Sequence, residues 1–335
     1  FRQDNTFFYL TGLETPRSWL VLEARDGAPV RSLLYLPPRN PHAERWTGPQ
    51  LGPGPEAAQL TGITDVRSTE RVTEEVEALA AGGAAVHLWI PPSVEPDALA
   101  RRLLSQPNVS TSSLAPHLAA VRVVKDADEL ARLRRAIALT TEAQRAAMRA
   151  VAPGMWEYEL EAVIEYTFRR GGAERVGFPS IVGSGPNSTV LHYDKSRRRM
   201  EAGDLVVVDI GAEYGYYTAD VTRTFPVSGR FTERQRAIYD LVLGAQQATI
   251  AAIRPGVRTA ELEAIARRYL REHSNGLCGA ATCDRYLVHG VSHWLGMDVH
   301  DVGNHGTPLA PGMVLTVEPG IYLPEEGLGI RIEDD

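Results

Sequence analysis

Over the first third of the chain short apolar runs alternate with turns. Phe7 to Leu10, Ser18 to Leu22 and Ser32 to Leu36 have the length and composition of strands, and Glu74 to Ala81 has helical spacing. Proline and glycine between Pro37 and Pro55 predict a loop. A β-branched run from Ala119 to Val124 then leads into Asp126-Ala127-Asp128-Glu129-Leu130, where an acid precedes helical periodicity through Leu133 and Ile137. A domain boundary is placed near residue 120, giving units 1–120 and 121–335, because 335 residues exceed what one core ordinarily accommodates.

The longer unit contains an internal repeat. Pro153-Gly154-Met155-Trp156-Glu157-Tyr158-Glu159-Leu160-Glu161-Ala162 recurs 102 residues later as Pro255-Gly256-Val257-Arg258-Thr259-Ala260-Glu261-Leu262-Glu263-Ala264, with six of ten positions identical. The same offset aligns Ala143-Gln144 with Ala245-Gln246, so each copy reads as helix, Pro-Gly turn, helix. Strand-like segments follow each copy: Pro179 to Tyr193 and Leu205 to Val227, then Leu287 to Val299 and Val314 to Glu333. This order predicts a pseudo-twofold α+β domain with its site where the halves meet.

Acids interrupt the apolar strands. Asp209 ends Leu205-Val206-Val207-Val208, a run fit for a buried strand, and an unpaired carboxylate there costs several kcal/mol. Thr218 to Phe225 supplies a second strand containing Asp220. If Tyr214-Gly215 is a two-residue hairpin loop, Asp209 and Asp220 lie directly opposite each other and call for a cation between them. The C-terminal runs repeat the logic: centred on Glu325-Glu326, a hairpin would set Glu318 opposite Glu333, although Pro319 and Gly320 argue against an unbroken ladder. Arg331, two residues before Glu333, shares its strand face and could orient a ligating carboxylate.

Histidines cluster in His289-Gly290-Val291-Ser292-His293-Trp294-Leu295-Gly296-Met297-Asp298-Val299-His300, with His305 just beyond. The spacing of His289 and His293 matches a zinc-binding helix, but Gly290 stands where that motif has glutamate, so strand and loop fit better. Four carboxylates with one histidine suit hard or borderline divalent ions, as a pair about 3.5–4 Å apart that clamps hydroxide and polarises a carbonyl or phosphoryl oxygen.

Composition narrows the alternatives. A formal charge of −7, from 35 Lys+Arg and 42 Asp+Glu, argues against nucleic acid as a partner. Lys125 and Lys195 are the only lysines, which reads as coding bias, and Arg197-Arg198-Arg199 reads as a solvated turn. The longest apolar run, Ala78 to Ile90, is broken by Gly82, Gly83 and His87, so no membrane span is expected. Cys278 and Cys283 are read as incidental thiols of a reducing cytosol, and a cytoplasmic location is expected. Phe1 in place of Met, and a stop at Asp335 within a strand-like run, read as truncated ends.

The ordered set Asp209, Asp220, His293, Glu318 and Glu333, with the N-terminal Arg2-Gln3-Asp4-Asn5 and Phe7-Phe8-Tyr9-Leu10-Thr11-Gly12, resembles the aminopeptidase P and prolidase branch of the creatinase/methionine aminopeptidase metallopeptidases. That resemblance implies a pita-bread catalytic domain behind a smaller α/β creatinase-like domain. It implies that Asp209 binds the first of two metals, that His293 and Glu318 bind the second, and that Asp220 and Glu333 bridge them. Manganese is the first choice; cobalt, iron and zinc tolerate the same ligands. A hydroxide between the metals would attack the scissile carbonyl, Glu318 would shuttle the proton, and His192, His289 and His300 would hold substrate and intermediate. Creatinase and the proliferation-associated and histone-chaperone relatives lack metals or ligands, whereas all five ligand types are present here. The expected reaction is release of an N-terminal residue that precedes proline, by a homodimer or homotetramer. An Xaa-Pro dipeptidase, a metal-free peptide-binding module and a two-metal phosphoesterase are the alternatives.

Overall fold

The computed structural model describes residues 1–90 and 95–335 and divides into two units, Phe1–Ala115 and Pro116–Asp335. In the first, Trp19–Glu23 pairs antiparallel with Arg31–Leu36, which pairs parallel with Asp65–Ser68. Strand alternation sends Leu33 and Tyr35 to one face, against Val72, Val76 and Ala80 of helix Val72–Ala81, and Leu34 and Leu36 to the other, against Leu13 and Ala57. Three expectations change here. Phe7 to Leu10 lies in a helix, Asn5–Thr11, because Asp4 caps it by accepting from Phe7 N and Gly12 closes it in the left-handed region. The stretch expected as loop holds a short helix, Pro41–Thr47, capped by Asn40. The β-branched run at 119–124 is largely the end of helix Ala115–Arg122.

The second unit contains the repeat as structure. Helices Ala127–Ala150 and Glu157–Arg170 are followed by Glu233–Ala252 and Thr259–Glu272, and three of the four helix boundaries correspond at an offset of 102 residues. Asp126 and Glu129 form a capping box that starts the first helix, and Thr232 and Gln235 do the same for the third. Each helix pair covers one hairpin. Leu139, Leu160, Ile164 and Phe168 pack on Val206, Val208 and Ile210, whereas Ile238, Leu241, Val242 and Leu270 pack on Ile321, Leu323, Leu328 and Ile330. Each such side chain, fully buried, contributes roughly 1.5–3 kcal/mol.

The first hairpin runs through Leu205–Ile210 and Val221–Pro226, extended by Ala212–Tyr214 and Tyr217–Thr218. Its tip is Gly215-Tyr216, one residue later than expected, and both have positive φ, 56° and 72°, as a two-residue hairpin turn requires. Asp209 therefore faces Thr222, and Asp220 is its diagonal neighbour on the same face. Gly211 must lack a side chain, since a Cβ there would lie 1.9 Å from the Ala219 carbonyl oxygen. In the second hairpin Gly320–Leu323 pairs with Leu328–Arg331 around the tip at Glu325-Glu326, in the register expected. An isolated bridge, Val317 to Asp334, carries that register beyond Pro319. Glu318 and Glu333 thus share a face with Tyr322 and Arg331, while Ile321, Ile330 and Ile332 face the core.

Cys278 and Cys283 form a disulfide, correcting the reading as free thiols: their Cα atoms are 5.3 Å apart, and both side chains are buried in the core that holds Leu287 and Val291. Among the described residues no helix is long and apolar enough to cross a membrane.

Candidate metal centre

The open face of the two hairpins and the chain from His289 to Asp301 line a cavity of about 700 Å³. Thr222 and Thr224 join the hairpins edge to edge. The Thr222 carbonyl accepts from Glu333 N at 3.1 Å, and the Thr224 hydroxyl accepts from Arg331 N at 3.1 Å while donating to Arg331 O at 2.9 Å. The Thr222 hydroxyl also donates to Glu333 Oε2.

The segment expected as a strand between Leu287 and Val299 is mostly turn and bend, but Val291–Leu295 runs antiparallel to 314–318. Glu318 N donates to Val291 O, Thr316 N to His293 O and Leu295 N to Val314 O. This short ladder places His293 beside Glu318. The imidazole Nδ1 lies 3.1 Å from Trp294 O, so Nδ1 carries the proton and the lone pair on Nε2 faces the acids. Nε2 is 3.4 Å from Asp220 Oδ2, 3.6 Å from Glu318 Oε1 and 4.0 Å from Glu333 Oε1.

Asp220, His293 and Glu333 each offer one ligand atom within a 4.8 Å cluster. Asp209 and Glu318 border it. Asp209 accepts from the buried Arg331, whose Nη1 donates to Tyr322 OH at 2.8 Å and whose Nε donates to Thr222 at 3.2 Å. Asp209 Oδ1, Asp220 Oδ1 and Glu333 Oε1 are buried and accept no hydrogen bond. Native interiors rarely leave such oxygens bare, so the set fits a divalent cation, which satisfies several carboxylates at once.

Electrostatics agree. Burial raises the Asp220 and Glu333 carboxyls well above the usual carboxylate range, and neighbouring acids raise them further. Glu318 is pushed up to about 8, chiefly by burial and against the pull of Arg331. His289 and His293 are lowered to about 4, again by burial first, so both rings are neutral at pH 7.

The remaining sequence candidates take different places. His289 Nδ1 is 2.7 Å from Gly290 O and 3.5 Å from Glu318, and its Nε2 is 2.8 Å from Tyr322 OH, so both nitrogens are engaged. His300 sits edge-on to His293, with ring centroids 4.3 Å apart, and lines the cavity with His192; both are exposed. Sequence reasoning missed Glu157. Wholly buried, it accepts from Ser184, Tyr193 OH and Arg198 N, and so fastens the loop that carries His192. A glutamate opening an amphipathic helix carries no sign of distant partners. Tyr322 was missed as well, although its position on the Glu318 face was readable from strand alternation.

Similarity to known proteins is consistent along the chain. Metallopeptidase family M24 matches residues 131–335, and the aminopeptidase P N-terminal domain matches residues 1–89. The Xaa-Pro aminopeptidase of Escherichia coli (strain K12) is 36% identical over 367 residues, covering 100% of this chain and 83% of that protein. The Xaa-Pro dipeptidase of Pyrococcus furiosus is 38% identical over 218 residues, covering 64% of this chain and 60% of its own. A solved structure of zinc-substituted E. coli aminopeptidase P in complex with product superimposes with a TM-score of 0.90 at 34% identity, covering 100% of this chain and 83% of that one. The chain belongs to metallopeptidase family M24.

Proposed function

We propose that this chain is an Xaa-Pro aminopeptidase that works with two divalent ions, manganese first among them. The observation that carries the reading is the cluster of bare, buried carboxylate oxygens around the neutral Nε2 of His293. Asp209, Asp220, His293, Glu318 and Glu333 would hold the ions. When bound, such ions polarise a peptide carbonyl and make water acidic enough to act as a nucleophile near pH 7.

The chain's own groups then have defined tasks. Glu318, beside His293 and His289, would take a proton from the attacking water and hand it to the departing proline nitrogen. Arg331 holds Asp209 in one rotamer, and Tyr322 joins that arginine to His289. His192 and His300, which line the exposed side of the cavity, would meet the peptide. Proline lacks an amide N–H and fixes φ, so a site shaped to it acts on bonds that general peptidases leave intact. Residues 1–120 serve as an accessory domain and 121–335 as the catalytic one.

Incubating the protein and Mn²⁺ with Xaa-Pro dipeptides and Xaa-Pro-Xaa tripeptides tests this. Release of the N-terminal residue from tripeptides is expected. Hydrolysis confined to dipeptides would establish the dipeptidase reading, which the Pyrococcus relative favours over 64% of the chain. Hydrolysis of neither would overturn both.

A further inference from the structure

We infer that Gln144 and Gln246 are paired positioning residues, each holding one carboxylate-bearing hairpin at the spacing its metal ligands need. The inference rests on the carboxylate cluster being a metal centre. The two glutamines occupy equivalent places in the 102-residue repeat, on helices Ala127–Ala150 and Glu233–Ala252, and each is 97% buried. Gln144 Nε2 donates to Val208 O at 2.9 Å and to Val221 O at 2.8 Å. Val208 immediately precedes Asp209, and Val221 immediately follows Asp220. Gln246 Nε2 donates to Val317 O at 3.5 Å and to Asp334 Oδ2 at 2.8 Å. Val317 precedes Glu318, and Asp334 follows Glu333.

In each half, then, one amide group directs its two N–H donors to the two strands of one hairpin, one residue outside each acid. A single planar NH₂ bonded to both strands fixes their separation beside the acids, and with it the distance between the two carboxylates. Helix packing gives no reason for a polar side chain here. Within one turn the buried neighbours are Thr140, Ala143 and Ala147 in one helix and Val242, Ala245 and Thr249 in the other, so an apolar residue would suit the surroundings. Burying an amide costs free energy unless its hydrogen bonds are made. The same residue type reaches both strands beside the acids in both halves, through two carbonyls in the first and through a carbonyl and the Asp334 carboxylate in the second. It does so although the acids differ, aspartates in one and glutamates in the other. What the halves share is a requirement on ligand spacing.

The test is calorimetric titration of Mn²⁺ into metal-free protein, with the melting temperature of the metal-free form measured alongside. For Gln144→Met and Gln246→Met, which keep volume and remove the donors, the Mn²⁺ dissociation constant should rise about 10–100-fold, the range for groups that orient metal ligands. Gln144→Glu and Gln246→Glu, which keep the shape and set a carboxylate against the same oxygens, should show at least as large a rise, and they serve if the methionine variants do not fold. Gln247→Met, at the exposed neighbouring position, should bind as wild type does. A purely structural role predicts a lower melting temperature for the metal-free protein with Mn²⁺ affinity within threefold of wild type, and that result would overturn the inference alone. Failure of the wild-type protein to bind Mn²⁺ would overturn the metal-centre reading, and the inference would fall with it.

Discussion

Two clusters of charge are buried in the second unit, and they are built on opposite terms. Around Asp301, the carboxylate accepts from Arg122 on one oxygen and from Lys125 Nζ, at 3.0 Å, on the other, with side-chain exposures of 1–3% for all three. Opposite charges there are paired, Arg122 also reaching Asp298, and the cluster pins the start of the unit to the loop after His300. Around His293, four carboxylates converge with Arg331 as their one buried cation among the described residues, and three oxygens accept nothing. Burial of charge is common to both, so burial alone does not mark a functional site. The distinguishing property is an electrostatic deficit left in place, which only a ligand can make good.

Substitution should separate the two clusters in opposite directions. Asp220→Asn or Glu333→Gln should lower Mn²⁺-dependent kcat/KM by about four orders of magnitude, about 5.5 kcal/mol of transition-state stabilisation, without lowering the melting temperature of the metal-free protein. Relief of repulsion offsets the lost contacts. If these variants melt well below wild type, the acids are structural and the contrast collapses. Asp301→Asn should do the reverse, costing about 3–5 kcal/mol in urea unfolding because Arg122 and Lys125 lose their counter-charge, while Mn²⁺ affinity stays within a few-fold. A large loss of affinity there would mean that the balanced cluster also tunes the metal site.

The last contrast is in pH dependence. In the folded, metal-free protein Asp220, Glu318 and Glu333 bind protons more tightly than in the unfolded chain, Glu318 up to about 8 against 4.5. Below about pH 6.5 the lowered His289 and His293 offset part of this surplus. Between about pH 6.5 and 8 the folded state holds more protons, so stability is lost as pH rises through the folded values. The slope should be about 1.4 kcal/mol per pH unit for each group still titrating. Chelated protein followed by urea unfolding at pH 6.5 and pH 8 measures it. A flat profile would show that these acids ionise freely.

Much of the site could be read from the chain because period-two alternation is a local signal. It put Asp209, Asp220, Glu318, Arg331 and Glu333 on strands; Asp209 and Arg331 lie within them and the other three one or two residues beyond strand ends, while the second hairpin kept the register that its acids implied. The first hairpin slipped by one at the turn, since Gly215 takes the first of two left-handed positions and Tyr216, a residue seldom found there, takes the second. Phe7 to Leu10 misled for a related reason: four apolar residues carry no period, and the decision lay with Asp4 and Gly12 at the ends. The contacts of Glu157 depend on which segments the fold brings together and leave no mark in local pattern, whereas Cys278 and Cys283 pair across a local turn of five residues.

Along the second hairpin, ligands and core residues occupy alternate positions of the same two strands. A deletion of one residue between Glu318 and Leu323 would turn isoleucine towards the acids and carboxylate towards the oil, whereas a change of length at the tip near Glu325 leaves both faces intact. Length can therefore drift at the turns of such a chain, while its strands can change only one letter at a time.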